Sequence, residues 1–191
     1  MIIDKATIKD MGLEPADIIR VKGTGTFGLL ARSVFVPWTD RHHHALVWRK
    51  SGDDYIILES VNKGLAVGRL SMYAGSDVTF YRAVSLDFAT RERACEELTR
   101  YGRAPYDYAL YIRLVRNIIK AELGVLRSGH WFRKLHAYEL PYGEDGWLVC
   151  TEAVALAFRL VNWSLVPDGV MALPSAIEQA SLDGLIREVT A

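Results

Sequence analysis

Cysteine is scarce: the 191 residues contain two, Cys95 and Cys150. Two in a chain of this length make no disulfide framework, so both read as reduced cytosolic thiols. Charge of one sign is not in excess. Lys and Arg total 23, Asp and Glu total 23, and the net charge is zero. That removes the simplest electrostatic case for binding nucleic acid or an anionic membrane, both of which favour a basic surface. Long apolar runs are missing too. No window approaches the roughly 20 residues a membrane span needs. The stretch MIIDKATIKDMGLEPAD carries charges throughout and has no apolar signal core, so a cytoplasmic protein is expected. There are no internal repeats and no low-complexity segment.

What remains is ordinary globular material, 50% hydrophobic and 24% charged, enough for one domain over residues 1–191 with a sizeable core. ADIIRVKG reads as a first strand ending at Gly23. GTGTFGLLARSVF reads as a loop leading into a short helix. HHHALVW and YIILES are strand-like runs around RKSGDD, and GLAVGRL and VTFYRAV are two more, separated by SMYAGSD. Strand signals then stop. TRERACEELTRYG predicts a helix with Thr90 as N-cap and Gly102 as its stop. PYDYALYIRLVRNIIKAELG predicts a longer one between Pro105 and Gly124. An aromatic, turn-rich loop follows, then the apolar helix WLVCTEAVALAFRLVNW. The chain closes on a helix in LPSAIEQASLDGLIREV, with Ser175 as N-cap and Glu178 three residues on. Strands first and helices after them predict an α+β fold, an antiparallel sheet packed against helices.

Three of the five histidines stand together at His42, His43 and His44. Histidines at the head of an apolar strand can be metal ligands, a catalytic base or a solvated turn. A hairpin turn centred on Ser51-Gly52 sets Trp48 opposite Tyr55, Leu46 opposite Ile57 and His44 opposite Glu59. Opposed side chains have Cβ atoms about 5 Å apart, close enough for an imidazole to meet a carboxylate. His43 then points to the other face, and His42 shares the face of His44 but lies opposite Val61. Such a pair is also ordinary on a solvated sheet face. Cys150 gives it more weight. This cysteine opens the helix CTEAVALAFRLV, where the partial positive charge of a helix N-terminus favours a thiolate. The bland alternative for Cys150 is a small buried hydrophobe, and Cys95 has only that reading.

A histidine on a strand and a cysteine at a helix start are the layout of papain-like thiol hydrolases. The ordered pieces PADIIR around Asp17, HHALVW, ILES, GRAPYDY, VCTEAV and LPSAI resemble the permuted branch of the NlpC superfamily, the YiiX-like papain-fold amidases. The resemblance spans about residues 14–178 and carries the family's order, with the cysteine last. It places the family histidine on His44, the polar third residue on Glu59 and the nucleophile on Cys150. Tyr106 and Asp107 match a Tyr-Asp signature before a helix. The resemblance implies a circularly permuted papain-like fold and cleavage of an amide or ester bond through an acyl-enzyme. The substrate would be a small peptide, a peptidoglycan fragment or an acyl-lipid, and no cofactor or metal is implied. A cell-wall role would need release by lysis or in a phage particle.

Within that reading Cys150 attacks the carbonyl, His44 carries the proton and Glu59 fixes the imidazole tautomer. The backbone N–H of Cys150 is the first oxyanion donor, and Glu152 serves the helix N-terminus. Three rivals stand beside it. His42 and His44 with Cys150 or Glu59 could make a tetrahedral zinc set. LLARSVFVPW with Trp131 and Phe132 could line the groove of a lipid acyltransferase, or simply pack. A binding module could keep the fold without turnover, although an intact His, Glu and Cys set argues against that. KGTGTFG lacks the Gly-Lys-Ser/Thr ending of a phosphate loop and reads as a lip.

Overall fold

Alternation of apolar residues around short turns gives the N-terminal half its strands. The structure is a computed structural model that describes residues 1–22, 43–61, 63–102, 104, 149–167, 172 and 174–189. The expected helix at 105–124, the loop at 128–147 and the Gly-rich segment from 23 lie outside these residues, as do His42, Tyr106, Asp107, Trp131 and Phe132.

Among the described residues the fold is α+β. A short helix α1 (Lys5–Ile8) precedes β1 (Ile18–Val21), β2 (His43–Ser51), β3 (Asp54–Val61) and β4 (Gly64–Arg69). A 3-10 turn at Leu70–Tyr73 leads to β5 (Val78–Ala83). Then come α2 (Phe88–Thr99), α3 (Cys150–Arg159), α4 (Pro174–Leu182) and β6 (Ile186–Glu188). The six strands form one antiparallel sheet in the order β4-β3-β2-β1-β5-β6.

Both faces of the sheet are covered, which is why β1 is buried at every position. On one face Ile18, Leu46 and Leu58 pack with Ala94, Cys95 and Leu98 of α2 and Ala153, Val154, Ala157 and Phe158 of α3. On the other, Ile19, Ala45, Val47, Ile57 and Phe80 meet Ile3, Ile8, Met11 and Leu13 of the N-terminal segment. The two faces are the two parities of each strand. Asp17, fully buried ahead of β1, accepts two hydrogen bonds of 2.7 Å from Arg82 of β5. This fork-on-fork pair ties neighbouring strands together. Arg20 of β1 reaches Glu178 of α4 at 2.5 Å and so ties the sheet to the last helix.

Several boundaries differ from the sequence reading. Asp87, not Thr90, caps α2, because its carboxylate accepts the Thr90 N–H at 2.8 Å. That helix ends at Thr99, and Gly102 closes the turn beyond it. Ser175 lies inside α4, which begins at Pro174; proline at a first helical position loses no bond. The closing helix stops at Leu182. Gly184 turns the chain with φ +72°, and Ile186–Glu188 pairs with β5 as a sixth strand. Three residues are too few to show an alternating pattern in sequence.

Candidate active site

The hairpin β2–β3 decides which histidine meets Glu59, and its register is not the expected one. Its two turn residues are Gly52 and Asp53, flanked by the pair Ser51 and Asp54. Gly52 takes φ +62°, at the position where a type II′ turn calls for glycine. A bulge then interrupts the ladder between Val47 and Arg49. The turn moves the pairing by two residues and the bulge takes one back. A net slip of one carries every side chain to the opposite face. Ala45, not His44, therefore lies across from Glu59. His43 shares the face of Ala45 and reaches Glu59 on the diagonal.

His43 Nε2 donates to Glu59 Oε2 at 2.7 Å. The same imidazole is close enough to the Cys150 side chain for each to shift the other's pKa. With Nε2 turned to the carboxylate, Nδ1 is the ring nitrogen left for the sulfur. Cys150 and Glu59, expected together from sequence, are thus brought together, but by His43. His44 points the other way. It is fully buried against the helices, and its Nδ1 lies 3.1 Å from Thr151 Oγ1 on α3.

Tyr73 is a member of the site that the sequence reading missed. Its hydroxyl donates to Glu59 Oε2, the oxygen His43 also uses, and its ring lies 5.8 Å from the imidazole. SMYAGSD reads as a connecting turn, and no spacing in it points to a buried carboxylate. Gly68 on β4 completes the seat. A Cβ at this position would come within 2.8 Å of Glu59 Oε1, so the missing side chain makes room for the carboxylate.

The electrostatics follow from these contacts. Burial works against a charged imidazole at His43. The hydrogen bonds and negative charges of Cys150 and Glu59 outweigh it and push the pKa up to about 10. Burial likewise opposes ionisation of Glu59, but the His43 and Tyr73 hydrogen bonds and the imidazolium charge hold its carboxyl below the usual range. The Tyr73 phenol moves well upward through burial and the Glu59 charge, so it stays a donor. Cys150 is buried at the first residue of α3. Desolvation raises its pKa, yet the His43 hydrogen bond and charge, the His44 backbone N–H and the Thr151 hydroxyl together bring it down. Glu152 supports the helix start by accepting the Val149 N–H at 3.1 Å.

Cys95 is the internal contrast. It is buried on α2, donates to the Val47 carbonyl at 3.3 Å, and burial pushes its thiol up to about 12. One thiol pushed up by its surroundings and one brought down thus coexist in the same chain. Among the described residues no group of three or more His, Cys, Asp or Glu side chains is arranged to hold a metal ion. No helix among them is long and apolar enough to cross a membrane. No protein-family model matches the chain, and no curated protein matches it.

Proposed function

We propose that the chain is a cysteine hydrolase of the permuted papain-like type. It cleaves an amide or ester bond through Cys150, His43 and Glu59. The observation that carries this reading is a single imidazole held between a helix-start cysteine and a buried carboxylate. Three groups in that order are what thiol acyl transfer needs: a nucleophile, a proton carrier and an orienting anion.

The steps follow from the charges. The resting site is a Cys150 thiolate beside a His43 imidazolium. The sulfur attacks the substrate carbonyl carbon, and the carbonyl π pair moves to oxygen. The main-chain N–H of Cys150, at the first residue of α3, would donate to the oxyanion. As the oxyanion collapses, the C–N or C–O bond breaks, and His43 passes its proton to the leaving amine or alkoxide. The product is a thioester on Cys150. Water then attacks the thioester and gives a proton to His43. The C–S bond breaks, and the thiolate–imidazolium pair is restored. Glu59 keeps the ring oriented throughout, and Tyr73 keeps Glu59 oriented and charged.

The substrate class is a peptide, a peptidoglycan stem or a lipid-linked amide or ester. The working thiol must stay reduced, which fits a cytoplasmic location. The test is a panel of amides and activated esters followed by intact-mass spectrometry and peptide mapping. A transient adduct on Cys150, with released product, is expected from at least one member. Cys150→Ser should abolish both. Turnover that survives Cys150→Ser would overturn the proposal.

A further inference from the structure

The second histidine of β2 also bears on the sulfur, by another route. Its Nδ1 lies 3.1 Å from Thr151 Oγ1, and that hydroxyl lies 4.0 Å from Cys150 Sγ, the outer limit for a hydrogen bond to sulfur. All three residues are buried, Thr151 at 1% and His44 at 0% exposure. The His44 main chain also favours the thiolate form of that sulfur.

A threonine hydroxyl has one hydrogen to donate. If it donates to His44, the sulfur faces only the oxygen lone pairs, which repel a thiolate. If Nδ1 of His44 carries the hydrogen and donates to Oγ1, the threonine hydrogen is released toward the sulfur. Whether Nδ1 of the buried His44 ring carries a hydrogen thus decides whether Thr151 supports or opposes ionisation of the thiol.

We propose that His44 and Thr151 form a second hydrogen-bonded line to Cys150, Nδ1–H to Oγ1 and Oγ1–H to Sγ, which orients the thiolate from the helix side of β2. Both are positioning residues. His43, on the other side of the strand, is the proton carrier. The adjacent histidines therefore divide the work because strand alternation sends them to opposite faces of β2 at the point where α3 begins. This inference rests on the thiol-hydrolase reading above and adds to it the residues that hold the nucleophile.

The test is the pH dependence of Cys150 alkylation by iodoacetamide, measured on the full chain for wild type, Thr151→Val and Thr151→Ser. Valine keeps the shape and removes the hydroxyl, and serine restores it. In wild type the alkylation midpoint should lie below the usual thiol value of about 8.5. Thr151→Val should raise that midpoint by about one pH unit, a tenfold change in the thiolate-to-thiol ratio, and Thr151→Ser should bring it back. His44→Gln, whose amide offers a donor near the same place, should give a smaller rise than Thr151→Val. An unchanged midpoint in Thr151→Val with a depressed wild-type value would overturn the second line and leave the hydrolase reading standing. An ordinary midpoint in wild type would overturn the hydrolase reading itself. If Thr151→Val does not fold, judged by circular dichroism, the comparison of Thr151→Ser with His44→Gln decides. A His44→Gln midpoint equal to wild type would then refute the role of His44.

Discussion

At the residue scale the site turns on which atom faces which. His43 touches both Cys150 and Glu59, whereas His44 touches Thr151. Removing a proton carrier typically lowers rates by about 10²–10⁴-fold. His43→Ala should therefore lose at least about a hundredfold in acylation rate with an ester probe, with its circular dichroism unchanged. Retained activity in a folded His43→Ala protein would remove His43 from the mechanism. Tyr73→Phe takes one of two donors from Glu59 Oε2 and should slow acylation by less than His43→Ala does. The cysteines make a separate test. Limiting iodoacetamide at neutral pH should label Cys150 before Cys95, since burial pushes Cys95 up to about 12 while Cys150 is lowered. Peptide mapping that finds Cys95 labelled first would reverse the assignment.

At the scale of elements, the strands were legible because alternation and turn residues mark them, and β2 through β5 fall where those signals stand. Cys150 near a helix start was legible from the apolar run WLVCTEAVALAFRLV, although the helix begins at Cys150 itself rather than at Trp147. The histidine was not. Its identity depends on register, and register depends on a turn position and a bulge at Trp48, neither of which leaves a periodic trace. Tyr73 and Gly68 were hidden because they reach Glu59 through tertiary packing rather than through spacing. The seat at Gly68 gives a prediction that belongs to the strand. Gly68→Ala would drive a methyl group into Glu59 Oε1, displacing the carboxylate from His43. Acylation should fall while the thermal midpoint changes little. A Gly68→Ala protein with wild-type kinetics would mean that the carboxylate position is unimportant.

At the scale of the whole molecule, one sheet with two covered faces lets a strand serve a core and a site at once. The first residues of β2 belong to the proposed site, and the next three are core. Stability should therefore be separable from activity. Asp17→Ala takes away the carboxylate that accepts two of the Arg82 bonds and leaves Glu14 as its remaining carboxylate partner, and neither Asp17 nor Arg82 is among the groups acting on Cys150. Leaving a buried charge wholly uncompensated costs about 3–5 kcal/mol; with Glu14 still on Arg82 a smaller but clear loss of stability in urea is expected, with the thiol still reactive in the folded fraction. The pH range of activity follows from the site's own charges. Reactivity should rise as pH climbs through the lowered Cys150 pKa, hold while His43 keeps its proton, and fall above about 10, where the imidazolium that protonates the leaving group is lost. The most direct test is a nitrogen NMR titration of the His43 ring in the intact chain, with His43→Gln to assign the signal. The thiolate–imidazolium pair predicts a charged ring at neutral pH that gives up its proton near pH 10, and a marked downward shift of that titration in Cys150→Ala. A His43 ring that is neutral at pH 7 and indifferent to Cys150→Ala would contradict the account.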